Sequence, residues 1–214
     1  MTSKLLYKEL RLAAHPNLFV FTFLGFLVIV PAYPYSMVFI FGCIAICATF
    51  MYGRETNDIY YTTLLPVKKR DVVKAKFLLV LAVQMVQILV SLPFAVLRVF
   101  VLPDGNPAGI EANVAFYGFG FIIYGLFNLV FMTQFFKTAH KAGKAFLLAL
   151  IPAIPVVFAM EALVHFPQFA WLDSITGEEM LRQLPILIAG IVTYPIFTLI
   201  AYRISLRRFD MVDL

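Results

Sequence analysis

Gln84, Gln87, Ser91 and Arg98 follow one another at spacings of 3, 4 and 7 inside an otherwise apolar stretch. On a helix with about 3.6 residues per turn, those spacings put all four side chains on one face. Tyr117, Tyr124 and Asn128, at spacings of 7 and 4, make a second face of this kind. Amides, hydroxyls and a guanidinium in such a seam do one of two things. They hydrogen-bond neighbouring helices together, or they line a water-filled translocation pathway. Both readings stand at this level. The acid in a comparable setting is Glu161, which ends the strict i+4 series Ala145, Ala149, Ala153, Val157, Glu161. Small residues let helices pack closely, so if Pro152 and Pro155 leave the stripe intact, Glu161 faces protein rather than lipid. Arg98 paired with Glu161 is then the expected ion pair; the rival reading is Arg98 snorkelling to the outer headgroups.

Other chemistry is missing from the sequence. His15, His140 and His165 stand far apart, near the ends of different apolar runs, and read as interface residues. The chain has no HExxH and no GxSxG, and its apolar segments hold no carboxylates paired at helical spacing, so no metal site and no catalytic residue is expected. Gly143-Lys144 lacks both the upstream glycine and the following Ser or Thr of a P-loop. Energy for uphill transport would therefore come from an ion gradient or from a partner subunit. Cys43 and Cys47 share one apolar run and read as small buried hydrophobes, not as a disulfide or a zinc pair.

Positioning such a seam requires spanning helices, and the composition demands them. Of 214 residues, 62% are hydrophobic and 14% charged, with a mean hydropathy of +0.91. A soluble domain is about 45–50% apolar and about 25% charged, and one of this size could not hide the excess. The chain is expected to be an all-α integral membrane protein with six spanning helices, at 16–33, 35–52, 77–102, 114–136, 145–166 and 184–202. Two domains are expected. Residues 1–15 form an interfacial elbow helix, with Lys4, Lys8 and Arg11 on a basic face and Leu6, Leu10 and Ala13 on another. Residues 16–214 form the transmembrane domain, with a cytoplasmic loop at 53–76. The first two spans are short, and their Pro31-Ala32-Tyr33-Pro34 corner stops short of the far headgroups. All but two of the 17 Lys and Arg, namely Arg98 and Arg182, fall on one side of this plan, whereas Asp104, Glu111, Asp173, Glu178 and Glu179 fall on the other. By the positive-inside rule both termini are cytoplasmic. The net charge of +5 is thus a topology signal and does not call for nucleic acid. Trp171, in the longest outer loop, reads as an interfacial anchor.

The loop between the second and third spans is the most distinctive stretch. Ile59, Tyr60, Tyr61, Leu64 and Leu65 interleave with Glu55, Asp58 and a basic cluster. The pattern predicts a short amphipathic helix that stops near Pro66, then a second helix start at Asp71. Apolar side chains on a cytoplasmic loop suggest a docking surface; an inner-leaflet anchor is the alternative.

The run Glu55…Tyr61-Thr-Thr-Leu-Leu-Pro66-Val-Lys-Lys-Arg70-Asp-Val-Val-Lys-Ala-Lys76 resembles the loop of ABC-2-type permeases, the membrane halves of small bacterial ABC exporters. The start Leu6-Tyr-Lys-Glu-Leu-Arg11 and the end Arg208-Phe-Asp-Met-Val-Asp-Leu214 are similar to that family as well. The exporters of phenol-soluble modulins and of bacteriocin peptides contain small permeases of this sort. The resemblance implies a partner permease (a copy or a relative) and two ABC ATPase subunits, which would carry ATP and Mg; this chain would bind no cofactor itself. It implies further that Glu55, Asp58, Tyr61, Leu64, Leu65 and Pro66 form a coupling helix seated on the ATPase. In that role Tyr61, Leu64 and Leu65 would be the apolar anchors, and Glu55 and Asp58 would pair with basic groups of the partner. The cargo would be hydrophobic or amphipathic, a peptide or a drug, moved out across a bacterial cytoplasmic membrane. The competing class is an ion-coupled carrier or channel, for which the polar seam speaks.

Overall fold

The computed structural model describes residues 2–102 and 105–212; Asp104 of the outer loop and Asp213-Leu214 of the C-terminal run lie outside them. The described residues fold into helices without a strand. α1 (Thr2–Lys8) runs into a π-helical turn, Glu9–Ala13, and α2 (Pro16–Phe23) continues as a 3₁₀ helix, Leu24–Ile29. Then come α3 (Met37–Glu55), α4 (Asp58–Leu64) and α5 (Lys69–Val101). α6 (Val114–Phe135) and α7 (Ala142–Leu163) follow, then a 3₁₀ turn, Pro167–Leu172, and α8 (Gly177–Asp210).

Five of these helices, α3 and α5 to α8, are long and apolar enough to cross a membrane. The sixth apolar segment, Pro16–Ile29, meets the elbow Lys4–Ala13 at 94°. If that segment stands across the bilayer, the elbow therefore lies in its plane. Pro16 at the first helical position and the His15 ring, which accepts from Asn17 N at 3.1 Å, start α2 at the bend. The helical part of the segment, 16–29, rises only about 24 Å, less than the roughly 30 Å of a hydrocarbon core. Ala32 turns the corner before α3 in the left-handed region, at φ 55°.

The bundle has two halves. α2, α3 and α5 pack around one another beside α1, while α6 lies between α7 and α8 and makes its widest contact with α8. Gly118 and Gly190 explain the closeness of that contact. A Cβ on Gly118 would lie 2.7 Å from the Ile186 backbone carbonyl, and one on Gly190 would strike the Gly118 oxygen. Small residues at the crossing let the two backbones touch, the usual route to helix association in lipid. The Ala145, Ala149, Ala153 stripe is fully buried despite both prolines. α7 and α8 turn Leu147, Ile151, Phe158, Ile188 and Leu199 outward, as lipid-facing helices do.

Three sequence expectations need correction. The elbow buries Leu5, Glu9 and Ala13, not Leu6 and Leu10, because the Glu9 carboxylate is drawn to Lys76 and sets the rotation of the helix. The helix start expected at Asp71 comes two residues earlier: α5 begins at Lys69 and runs unbroken for 33 residues into the third span. α8 runs for 34 residues, far past 184–202 at both ends. Glu178 and Glu179 in its first turn and Arg207 and Arg208 in its last suit the helix dipole, and hydropathy does not register such polar turns.

Candidate functional site

The site is a column of polar groups along α5, with an ionic cluster at each end. Lys76 and Arg98 are 22 residues apart on that helix. This separation is about 33 Å along the axis, close to the roughly 30 Å of a hydrocarbon core.

At the cytoplasmic end, Lys76 Nζ meets Glu9 Oε2 at 2.5 Å and Asp58 Oδ2 at 2.7 Å. Lys8 Nζ closes the ring on the other oxygens, Glu9 Oε1 at 2.8 Å and Asp58 Oδ1 at 2.6 Å, and donates to Thr62 Oγ1 at 2.9 Å. Two ammoniums and two carboxylates alternate, so the ring is neutral. The Lys76 and Glu9 side chains are 2% and 1% exposed. The Phe50 ring faces Lys76 at 5.4 Å. Burial alone would push the Asp58 carboxyl up, but the ammoniums of Lys76 and Lys8 outweigh it and hold the group below its ordinary range. The ring ties three elements together: the elbow through Lys8 and Glu9, α4 through Asp58 and Thr62, and the base of α5 through Lys76.

α4 owes its ends to its sequence. Asn57 takes the left-handed conformation, φ 52°, that reverses the chain after α3. Pro66 biases Leu65 to extended backbone, which ends the helix at Leu64. Its inner face is Asp58, Ile59 and Thr62. Its outer face is apolar and open, with Tyr61 62%, Leu64 66% and Leu65 53% exposed. Glu55 and Pro66 flank that face and are exposed as well.

In the middle of the column every named seam residue is buried and hydrogen-bonded. Gln84 and Asn128 exchange amide bonds at 2.8 and 3.0 Å. Tyr194 donates to Gln84 Oε1 at 2.8 Å, and Asn128 donates to Thr198 Oγ1 at 3.1 Å. Gln87 donates to the carbonyls of Phe21 and Val38 at 3.1 and 2.8 Å and accepts from Tyr124 at 2.5 Å. Ser91 and Tyr117 lie 3.1 Å apart, oxygen to oxygen. The seam thus joins α5 to α2, α3, α6 and α8. With its groups satisfied by neighbouring helices, it has the geometry of interhelical glue in this conformation.

At the outer end Arg98 does not pair with Glu161. Its guanidinium takes Glu111 in a two-pronged grip, Nη1 on Oε2 and Nη2 on Oε1, while Nε donates to Tyr35 at 2.6 Å. Glu161 faces protein, but it accepts from backbone amides, Ser36 N at 3.0 Å and Ile110 N at 3.1 Å. Asp173 Oδ1 accepts from Glu111 N at 2.7 Å, and Asn106 N donates to Glu111 Oε1. The 105–113 loop is thereby pinned over the end of α5. Burial pushes the Glu111 carboxyl up, and Arg98 pulls it back only in part. Asp173 is likewise raised, by burial first and by the neighbouring Glu161 charge last. Trp171 stands half-buried beside this cluster, and its carbonyl accepts from Gln183 at 2.8 Å.

Between the two halves, in the outer half of the bundle, α5, α6 and α8 enclose a crevice of about 580 Å³. Leu92, Val96, Phe121, Met180 and Leu187 make its walls apolar, and Asn113 and Tyr117 supply its few polar atoms.

Residues 4–210 match the family described as ABC-2 family transporter protein. The chain belongs to that family. It is an ABC-2 type permease, a multi-pass membrane component of a transporter. Comparison with curated proteins and with solved structures gives no match. Association with an ABC ATPase is general in the family.

The permease buries Gln84, Gln87, Ser91, Tyr124 and Asn128 along one face of α5 in three hydrogen-bonded groups, Gln84 with Asn128, Gln87 with Tyr124 and Ser91 with Tyr117, and sets Glu161 apart from Arg98 in the outer cluster. It spends Asp58 inside the chain, on Lys8 and Lys76, where pairing with a partner's basic group had been expected. Glu55 has no ion pair among the described residues. Sequence reasoning missed Glu9, Lys76 and Glu111 as partners. In sequence Lys76 is one more positive-inside cation, and Glu9 stands between the basic Lys8 and Arg11. The available signal was Glu9 itself, an acid on the one helix whose basic face should prefer anionic headgroups.

Proposed function

We propose that this permease is the membrane-spanning subunit of an ATP-driven exporter in the cytoplasmic membrane of a bacterium. It pairs with a second permease, identical or related, and with two ABC ATPase subunits that bind ATP and Mg. Its cargo is hydrophobic or amphipathic: a peptide toxin, an antimicrobial peptide or a drug. One observation carries the reading. α4 leaves Tyr61, Leu64 and Leu65 exposed while its other face is bolted to the base of α5. An exposed apolar edge on a soluble loop gains by docking, and a ring of buried charges behind it resists being pulled apart.

The mechanism follows from those two faces. The ATPase receives Tyr61, Leu64 and Leu65 in a groove, with Glu55 at the rim for a cation of the partner. Closure of the ATPase pair displaces α4. Asp58 passes that displacement to Lys76 and Lys8, so the foot of α5 and the elbow move with α4. A tilt of α5 against α6 and α8 alters the apolar crevice, whose walls suit a greasy cargo. ATP hydrolysis stays on the partner. An ion-coupled carrier would want a titratable group along this helix, and none lies between Phe77 and Leu97.

Purification of the permease under mild conditions followed by mass spectrometry is expected to find an ATPase and a second permease. A Leu64→Asp/Leu65→Asp variant should lose the permease's effect on ATP turnover. Because both residues are exposed, its own stability should stay within about 0.5 kcal/mol of wild type. Intact coupling in that variant, or cargo transport by the permease alone in liposomes, would overturn the proposal.

A further inference from the structure

A second cavity, of about 650 Å³, opens between α5 and α8 on the cytoplasmic side. Its rim carries Lys68, Arg70 and Lys74, with Asp71 the one acid among them. None of these four has an ion-pair partner among the described residues. Below the rim the lining becomes mainly apolar, with Phe77, Leu78, Leu81 and Leu199, and Thr198 and Tyr202 are its polar members. Lys74 and Leu81 are two helical turns apart, so the groove descends about 10 Å along the helix axis, from the cationic level into the apolar one.

We infer that this groove binds an anionic phospholipid of the inner leaflet, phosphate at the level of Lys68, Arg70 and Lys74, with an acyl chain along Leu78, Leu81 and Leu199. Three observations select a lipid. The cations and the apolar wall are stacked in the order of a lipid's own headgroup and tail. The rim has a net positive charge even with Asp71 counted, which complements a phosphate and repels a second copy of the same rim. The floor, Leu78 and Leu81, lies inside the apolar run of α5 and not on the polar loop before it. Lys69, the remaining cation of the stretch, is spent elsewhere: its Nζ caps the end of α8 on the carbonyls of Val212, Asp210 and Phe209 at 2.9, 3.3 and 3.4 Å. That bond holds the two helix ends side by side and so fixes the mouth of the groove. Basic pockets between helices on the cytoplasmic side are the expected receptors for acidic headgroups.

The test is native mass spectrometry of the full permease with phosphatidylglycerol and phosphatidylcholine of matched chains. Wild type should retain phosphatidylglycerol in preference by about tenfold or more. Lys68→Gln/Arg70→Gln/Lys74→Gln should abolish the preference. Leu81→Trp, which fills the wall but keeps every charge, should reduce retention of phosphatidylglycerol. Lys137→Gln/Lys141→Gln/Lys144→Gln, on exposed cations of another cytoplasmic loop, should leave the preference intact. Equal loss in that control would mean diffuse surface attraction and would overturn the site. An unchanged preference in the triple groove variant would overturn it too, as would a wild type that excludes both lipids because a second copy covers the groove. Should the groove variants fail to fold, wild type alone decides: phosphatidylglycerol must raise its unfolding temperature above phosphatidylcholine, and an equal effect of the two lipids rejects the site.

Discussion

At its cytoplasmic end α5 gives Lys76 to a ring of two cations and two carboxylates, whereas at its outer end it gives Arg98 to a chain of three carboxylates with one cation. The inner carboxylates are satisfied by ammoniums from side chains on different helices. The outer ones are satisfied largely by backbone amides, at Ser36, Asn106, Ile110 and Glu111. Charge held by side chains links helix to helix and carries a displacement between them. Charge held by loop amides fixes loops to helix ends and seals. The same helix thus ends in a joint on one side of the membrane and in a cap on the other.

The sharpest way to break this contrast is to remove each cation. Lys76→Met leaves Glu9 and Asp58 facing one another with Lys8 alone, a buried excess of negative charge that should cost about 3–5 kcal/mol. Unfolding in detergent or loss of folded yield reports it. Arg98→Met should cost less, about 1–3 kcal/mol, because Glu111 keeps the Asn106 amide and burial already favours its protonated form. Equal costs, or the reverse order, would erase the distinction.

Acid sharpens it further with a smaller effect. Asp58 is held below its ordinary value of 3.8, so its contribution is complete above that value and is lost as the pH falls through the lower folded value. Asp173 and Glu111 are raised above 3.8 and 4.5, so their ionisation costs stability near neutral pH, and acidification through the raised values returns it. As the pH falls through those raised values the permease should therefore gain stability from the outer side. Thermal midpoints over that fall in pH should rise for wild type and stay flat for Glu111→Gln/Asp173→Asn. A rise that persists in the double variant would place the titration elsewhere.

The two regions were not equally legible. Periodicity announced the seam, because Gln84, Gln87 and Ser91 are rare polar residues at helical spacing in an apolar run. Pro66 and the alternation around Tyr61 announced α4 as well. Spacing along one helix tells which face a residue occupies, but not which loop folds over that face. For this reason Glu161 was rightly turned inward yet given the wrong partner. Arg98 instead finds Glu111, 13 residues along the chain, through a loop whose path no helical period encodes. The inner ring was hidden by abundance: among so many cytoplasmic cations, the buried Lys76 has nothing in its sequence context to set it apart from the exposed Lys74. The close crossing at Gly118 and Gly190 was equally silent, since single glycines in separate helices declare no partner.

Hydrogen–deuterium exchange of the wild-type permease, alone and with its ATPase in the ATP-bound state, tests the joint and the cap together. Slowed exchange is predicted across residues 58–66, with exchange at 105–113 unchanged on docking of the ATPase. Protection confined to the outer loop, or none at 58–66, would contradict the claim that force enters this permease through α4.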